Sequence, residues 1–287
     1  MPCPICDDTG WMPAGSGAAR QVVRCQCWRD GLAARLLDEA RIPSRYRHCA
    51  LEAFVTYANP SLERAVALAR RLVDQFPVVD RGLFLLGPPG VGKTHVAVAV
   101  LRRITGEKGG RGVFYDTREL LRTIRRTYDP VVRTSESAVL DPVTAADLLV
   151  LDDLGAEKTS EWVEETLNYI VDERYSTKRL TIFTSNYDIS DDATDPDSLQ
   201  ARVGFRMYSR MHEMCEFLHL DGADYRELPP NGGAEDLQML WKVRKRPASG
   251  RTLPSRASAP ARAGLKDKEK DRDRSTDLRW TGGKAGR

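Results

Sequence analysis

Short unbroken apolar runs alternate with longer stretches of helical period through the middle of the chain. Residues 83–86, 113–115, 148–151 and 180–184 are such runs, and 216–220 reads as a last short strand. Runs this short, without polar alternation, fit strands covered on both faces of a sheet. The stretches between them, 94–104, 117–128 and 159–176, read as helices, and 202–211 as a further one. Asp116 or Thr117 can cap the second of these and Ser160 the third. Two helices precede the first strand: 29–40, with Leu32, Leu36 and Leu37 apolar, and 62–76, with Leu62, Val66, Leu72 and Val73 on one side and Pro77 at its end. Strands and helices in alternation predict an α/β domain with a parallel sheet.

Composition changes the picture at both ends. The 287 residues suffice for one large domain with smaller attachments. A net charge of +3 conceals an asymmetry: residues 242–287 hold 15 Lys/Arg against 5 Asp/Glu, or +10, which leaves −7 for the rest. From about residue 229, Pro, Gly, Ser, Ala and interleaved charges prevail, with little apolar periodicity beyond 237–241. This predicts a disordered basic tail over 229–287, able to hold nucleic acid electrostatically or simply to keep the protein in solution. No apolar run approaches a membrane span, and the opening Met1-Pro2-Cys3-Pro4 is no secretory signal. A cytoplasmic protein without a membrane partner is expected.

Six cysteines in such a compartment point to metal or free thiols before disulfides. Cys3 and Cys6 form a C-x2-C knuckle, and Cys25 with Cys27 closes the set after a segment whose glycines suit a hairpin. Four thiolates match a tetrahedral structural Zn²⁺ site, whose metal would supply the folding free energy that so small a segment lacks. The expectation is a zinc-binding module with a linker helix over 1–40; free thiols or a redox pair are the plainer alternatives. Cys49 and Cys215 read as ordinary buried thiols.

Residues 87–94 read Gly87-Pro88-Pro89-Gly90-Val91-Gly92-Lys93-Thr94, the phosphate-binding pattern G-x-x-x-x-G-K-[ST] between a strand and a helix. Glycines let backbone N–H groups face the phosphates of ATP; Lys93 is expected at the β- and γ-phosphates and Thr94 at Mg²⁺. The run 148–151 ends in Asp152 and Asp153, a Walker B pattern. Asp152 would hold Mg²⁺ through water, and Asp153 would orient or deprotonate the attacking water. Asn186, at the end of the next apolar run, is a candidate sensor of the γ-phosphate. Arg118, Arg122, Arg125 and Arg126 lie at i, i+4, i+7 and i+8, one basic stripe that suits nucleic-acid phosphates or a solvated helix face.

Together these residues resemble the AAA+ ATPases of the bacterial replicative helicase loader family (DnaC/DnaI-type), with the IstB-type transposition helper ATPases as close relatives. The stretches that carry the resemblance are 3–6 with 8–11, Ile-Pro-Ser-Arg-Tyr-Arg at 42–47, the loop 87–95, Leu-Val-Leu-Asp-Asp-Leu-Gly-Ala-Glu at 149–157, Phe-Thr-Ser-Asn-Tyr at 183–187 and Ser-Arg-Met at 209–211. It covers about residues 1–228 and implies a P-loop AAA+ domain over 41–228, with a five-stranded parallel sheet flanked by helices. ATP would lie between subunits of a homo-oligomer, with His95 in its binding loop. Arg210 looks like the arginine finger that reaches a neighbour's γ-phosphate, with Arg206 as the fallback. Arg226 looks like the second sensor, contacting ATP in its own subunit. The helix 117–128 takes the place of the one that contacts single-stranded DNA in the initiator branch. The implied function is an ATP-dependent loader that binds single-stranded DNA and a hexameric ring helicase, with slow hydrolysis as a release switch. A transposition helper acting on duplex DNA with a transposase is one alternative; a non-hydrolysing ATP-dependent binding module is another. Two features depart from the pattern. Asp153 stands where many AAA+ ATPases have Glu, and only a short segment separates Leu220 from Pro229 and Pro230, so a full helical lid is reduced or absent.

Overall fold

The computed structural model describes residues 3–14, 21–158, 160–189, 195 and 198–245. Two antiparallel strands, β1 (Trp11–Ala14) and β2 (Gln21–Arg24), lead into α1 (Gln26–Glu39). A 3-10 turn at Ser44–Tyr46 precedes α2 (Pro60–Gln75), capped by Asn59. Then come β3 (Gly82–Leu86), α3 (Lys93–Lys108), β4 (Gly112–Asp116), α4 (Thr117–Arg126), α5 (Glu136–Ala145) and β5 (Leu148–Asp152). The chain continues through α6 (Glu161–Ser176), β6 (Leu180–Ser185), α7 (Leu199–Val203), α8 (Phe205–Met214) and β7 (Cys215–His219). A 3-10 turn at Tyr225–Glu227 and α9 (Ala234–Lys245) follow. Strands β3 to β7 form one parallel sheet in the order β4-β5-β6-β3-β7.

The unbroken apolar strands divide their side chains between two faces. Leu83, Leu85, Val150 and Ile182 join the layer under α2 and α3, while Phe84, Leu86, Leu151 and Phe183 join the layer under α4, α6 and α8. A parallel sheet so covered brings the C-terminal ends of β3, β5 and β6 to one edge, where the ligand crevice of such folds lies. Register there is fixed by pairing Leu151 with Phe183, which sets Asp152 beside Thr184. The opposite region of the sheet is tied by Arg174, which is 1% exposed. Its guanidinium donates to Thr181 Oγ1 (2.9 Å), to the carbonyls of Val143 (2.8 Å), Thr144 (3.2 Å) and Ala146 (3.0 Å), and to that of Leu180. Burial draws its pKa down to about 9, yet its donors are matched by carbonyls that would otherwise lie buried and unpaired.

Several boundaries differ from those expected. Helix α1 begins at Gln26, so Cys27 lies in its first turn. Helix α5 lies where Pro142 interrupts the apolar period of the sequence; Ser135 caps it through Ala138 N–H at 3.2 Å. The single helix expected at 202–211 is two, α7 and α8, parted at Gly204, whose φ of 81° disfavours a side chain. The tail boundary after 228 is corrected as well. Leu237, Leu240 and Trp241 are spaced i, i+3, i+4, and they pack α9 onto the core with Leu237 1% exposed. The disorder expected farther on, from residue 246, lies outside the described residues. Among the described residues no helix is long and apolar enough to cross a membrane.

Replacing Arg174 with Ala should cost about 3 kcal/mol or more, because it strands buried carbonyls and opens a cavity. Chemical unfolding of the variant should show a lowered midpoint at an unchanged slope.

Candidate nucleotide site

The turn from β3 into α3 is held too closely for side chains at its glycines. A Cβ on Gly90, at φ 81°, would sit 1.8 Å from the Asp224 carboxylate. Val91 is fully buried and anchors the loop from below. Lys93 opens α3 and turns back under the loop. Its ammonium donates to the carbonyls of Gly87 (2.8 Å) and Pro88 (2.9 Å) and to Asn186 Oδ1 (2.7 Å). Burial lowers its pKa to about 8, against the pull of Asp152 and Asp153.

Asp152 and Asp153 are adjacent in sequence but differently placed. Asp152 is 8% exposed; its Oδ1 accepts from Thr94 Oγ1 (2.9 Å) and Thr184 Oγ1 (2.6 Å). Burial raises its pKa, and the two hydroxyls oppose that rise. Its oxygens beside the Thr94 hydroxyl are the hard donors that Mg²⁺ prefers. Asp153 has a left-handed backbone, φ 57°, and its N–H donates to Thr184 Oγ1 at 2.9 Å. Its Oδ1 accepts from Asn186 Nδ2 (2.6 Å) and its Oδ2 pairs with Arg118 (3.4 Å). Asn186 therefore bridges Lys93 and Asp153.

A cavity of about 430 Å³ collects most of the expected nucleotide residues: Pro89, Gly90, Gly92, Lys93, Thr94, Asp152, Asp153, Asn186 and Arg226. His95 lines it too, but its Nε2 lies 2.9 Å from the Ala50 carbonyl and its ring packs beside Phe54, so its own contacts go to the linker. Thr184, Arg45, Tyr46 and Tyr225 also line this cavity and were not anticipated. Thr184 had a readable signal, a polar residue ending a buried parallel strand. The others come from turns that only the fold brings near. Glu157, which ends the stretch 149–157, turns one carboxylate oxygen inward; burial raises its pKa, with the backbone N–H groups of Glu157 and Gly155 opposing.

The arginine stripe is not one surface. Arg118, Arg122 and Arg126 line a second cavity of about 550 Å³, which shares Arg45, Tyr46, Asp116 and Asp152 with the first. Arg125 is drawn to the other side, with its guanidinium 4.4 Å from the centre of the Trp162 ring. Arg210 and Arg206 line neither cavity; both pair with Asp172 on α6, Arg206 at 3.2 Å with 70% of its side chain exposed and Arg210 with 23%.

The cysteines expected to act together do meet. The Sγ atoms of Cys3, Cys6, Cys25 and Cys27 lie within 4.8 Å of one another, with Cys6 and Cys27 at 3.2 Å and Cys3 and Cys25 at 3.9 Å. A tetrahedral zinc with Zn–S near 2.3 Å requires S···S of about 3.8 Å, so the donor set fits. Backbone N–H groups of Ile5 and then Cys6 bring the Cys3 thiol down to about 7, while the bond to Cys6 pushes Cys27 up. Cys49 and Cys215 are buried thiols apart from this set, as expected.

A P-loop beside an Asp-ended inner strand, with a polar residue closing the strand between them, is the site of a P-loop nucleotide-binding domain of AAA+ type. Residues 35–228 match the family of IstB-like ATP binding proteins, and the chain belongs to that family. It is 26% identical over 177 residues to the replicative helicase loader DnaC of Escherichia coli (strain K12), covering 62% of this chain and 68% of that protein. Among solved structures, a DnaC helicase loader superposes with TM-score 0.55 at 36% identity, over 62% of this chain and 99% of that one. A DnaI structure shares the fold, with TM-score 0.51 at 23% identity over 64% and 94%. The AAA+ architecture and the likeness to helicase loaders agree with the resemblance found in the sequence.

Phosphate binding requires the ammonium form of Lys93. Affinity for ATP should therefore be full below pH 8 and fall as the pH rises through about 8. Lys93→Ala should weaken binding about 30-fold, the ~2 kcal/mol of a charge-assisted contact, and remove that pH dependence. Calorimetric titration across pH 6.5–9.5, roughly the window bracketing this pKa, checks both.

Proposed function

We propose that this chain is an ATP-dependent loader of a replicative helicase that also binds single-stranded DNA. The observation that carries this reading is the continuous chain Lys93–Asn186–Asp153–Arg118. It runs from the place of the terminal phosphate to the basic helix α4, so the state of the nucleotide and the position of Arg118 bear on each other. Arg118, Arg122 and Arg126 would then track a DNA backbone in the groove they line.

In this reading ATP lies against the P-loop and Arg226. Mg²⁺, held by Thr94 and Asp152, would neutralise charge on the phosphates. Asp153 accepts a proton from water as its oxygen attacks the γ-phosphorus; the bond to the bridging oxygen breaks and ADP leaves with phosphate. Asn186 holds Asp153 and senses the γ-phosphate. Arg210, once released from Asp172, or the more exposed Arg206, reaches a neighbouring subunit's ATP in a homo-oligomer. Zinc on the four cysteines would fix the N-terminal module, which we assign to the helicase contact. Turnover is slow and ends the helicase complex, because the bonds that Asn186 and Arg118 make to the Asp153 carboxylate favour its charged form and weaken it as a proton acceptor. A second reading, a transposition helper on duplex DNA, is compatible with membership of the IstB-like ATP binding family.

Metal analysis should find about one zinc per chain, lost in Cys3→Ser/Cys6→Ser. Folded, metal-free wild-type protein would remove the zinc assignment. Native mass spectrometry with the host's ring helicase tests the loader reading. A complex formed in ATP and weakened in ADP is expected; absence of a complex in both, with capture of a transposase instead, would favour the second reading.

A further inference from the structure

Helix α9 lies beyond residue 228, where the family match ends, yet it grips the segment that delivers Arg226 to the nucleotide cavity. Trp241 Nε1 donates to Asp221 Oδ2 at 3.2 Å, and its ring meets Tyr57 edge-on at 6.0 Å. Tyr57 Oη in turn accepts from Ala223 N–H at 2.8 Å. From the other side, the α2 cap holds the same segment, with Asn59 Nδ2 donating to the Asp221 carbonyl at 2.6 Å. One turn on, Tyr225 N–H donates to the Gly90 carbonyl at 3.0 Å, which sets the segment directly on the P-loop. Arg226 follows, close enough for its charge to depress the Lys93 pKa.

We propose that α9 is a strut of the nucleotide site and that Trp241 is a positioning residue, fixing Arg226 through its hydrogen bond to Asp221. The proposal rests on the reading of Arg226 as an ATP-contacting side chain and does not depend on which partner the protein serves. Trp241 packs on the core with Leu237 and Leu240, and in addition its N–H is spent on a carboxylate at the base of the Arg226 segment, a bond that packing alone does not require. Loss of that bond leaves the fold in place and loosens an arm that enters the nucleotide cavity from the C-terminal side of the domain. A loosened Arg226 affects ATP more than ADP, because Arg226 lines the cavity together with Lys93, the side chain expected at the β- and γ-phosphates.

The test compares ATP and ADP affinities of the full chain as wild type, Trp241→Phe, Arg226→Ala and the double variant, with melting temperatures in parallel. Phenylalanine keeps an aromatic ring toward Tyr57, removes the donor and shortens the side chain by one ring of the indole, and the melting temperatures read out that lost packing separately. Trp241→Phe should bind ATP about five-fold more weakly, the worth of one hydrogen bond, with ADP affinity within about two-fold of wild type. The double variant should bind ATP no more weakly than Arg226→Ala, since both changes act through one arm. Asp221→Ala cuts the same bond from its other end and should give the same split should Trp241→Phe prove unstable. Equal losses for ATP and ADP, or additive losses in the double variant, would overturn the strut. Unchanged affinities in Trp241→Phe, alongside a lost ATP preference in Arg226→Ala, would overturn the strut and leave Arg226 standing. An intact ATP preference in Arg226→Ala would overturn the role of Arg226 and the strut with it.

Discussion

Two carboxylates on consecutive residues at the end of a buried strand repel each other and lose hydration, and the nucleotide site depends on how that conflict is resolved. A single hydroxyl does most of the work. Thr184 donates to Asp152 Oδ1 and accepts from the Asp153 N–H. The first bond stabilises the more buried carboxylate. The second holds the left-handed backbone that turns Asp153 away from its neighbour toward Asn186 and Arg118. Such a backbone costs about 1–3 kcal/mol and persists only where surrounding contacts over-determine it, though aspartate tolerates it better than most residues. Thr184 can serve both only because β5 and β6 are adjacent and in register, so the chemistry at this edge is a consequence of the sheet.

The sheet in turn needs support where its loops leave α5 and α6. The apolar layers bury strands on both faces but do nothing for carbonyls at the ends of helices. Arg174 meets that need with a guanidinium that is fully buried and saturated by neutral acceptors. A cation so placed normally costs more than it returns. Here the alternative is several buried carbonyls without partners, and the fork of one side chain answers them from a single position.

Much of this was legible beforehand. The strands were readable because a sheet covered on both sides needs apolar residues at every position, which leaves a run that cannot be confused with an amphipathic surface. The P-loop, Walker B and Asn186 were readable because phosphate chemistry fixes residue types at fixed offsets. The cysteine quartet was readable for the same reason, with metal-ligand spacing in place of phosphate spacing. Helix α5 was hidden by Pro142, and α9 by a polar composition that masks three apolar residues at i, i+3, i+4. The division of the arginine stripe could not be read locally. Arg125 leaves the others because Trp162, far along the chain, presents an aromatic face to it. Tyr46 and Tyr225 entered the cavity unannounced, since turns carry no period and only the assembled fold says what they face.

The substitution of Asp for Glu after the Walker B aspartate takes on meaning within this geometry. An aspartate reaches one methylene less far, so its position is set more by backbone than by rotamer. In this chain the backbone is locked in the left-handed region, and both carboxylate oxygens are held, one from the side of the P-loop and one from α4. As the proposed general base, Asp153 would be a weaker proton acceptor while both grips hold. For the proposed loader this is an advantage, because a protein that marks a stage of assembly must keep its ATP until the partner signal arrives. The same arrangement would handicap a motor that turns over continuously. In the proposed loader the short carboxylate and its two holders would act as one device, with slowness built into the backbone and the release of Arg118 supplying the timing.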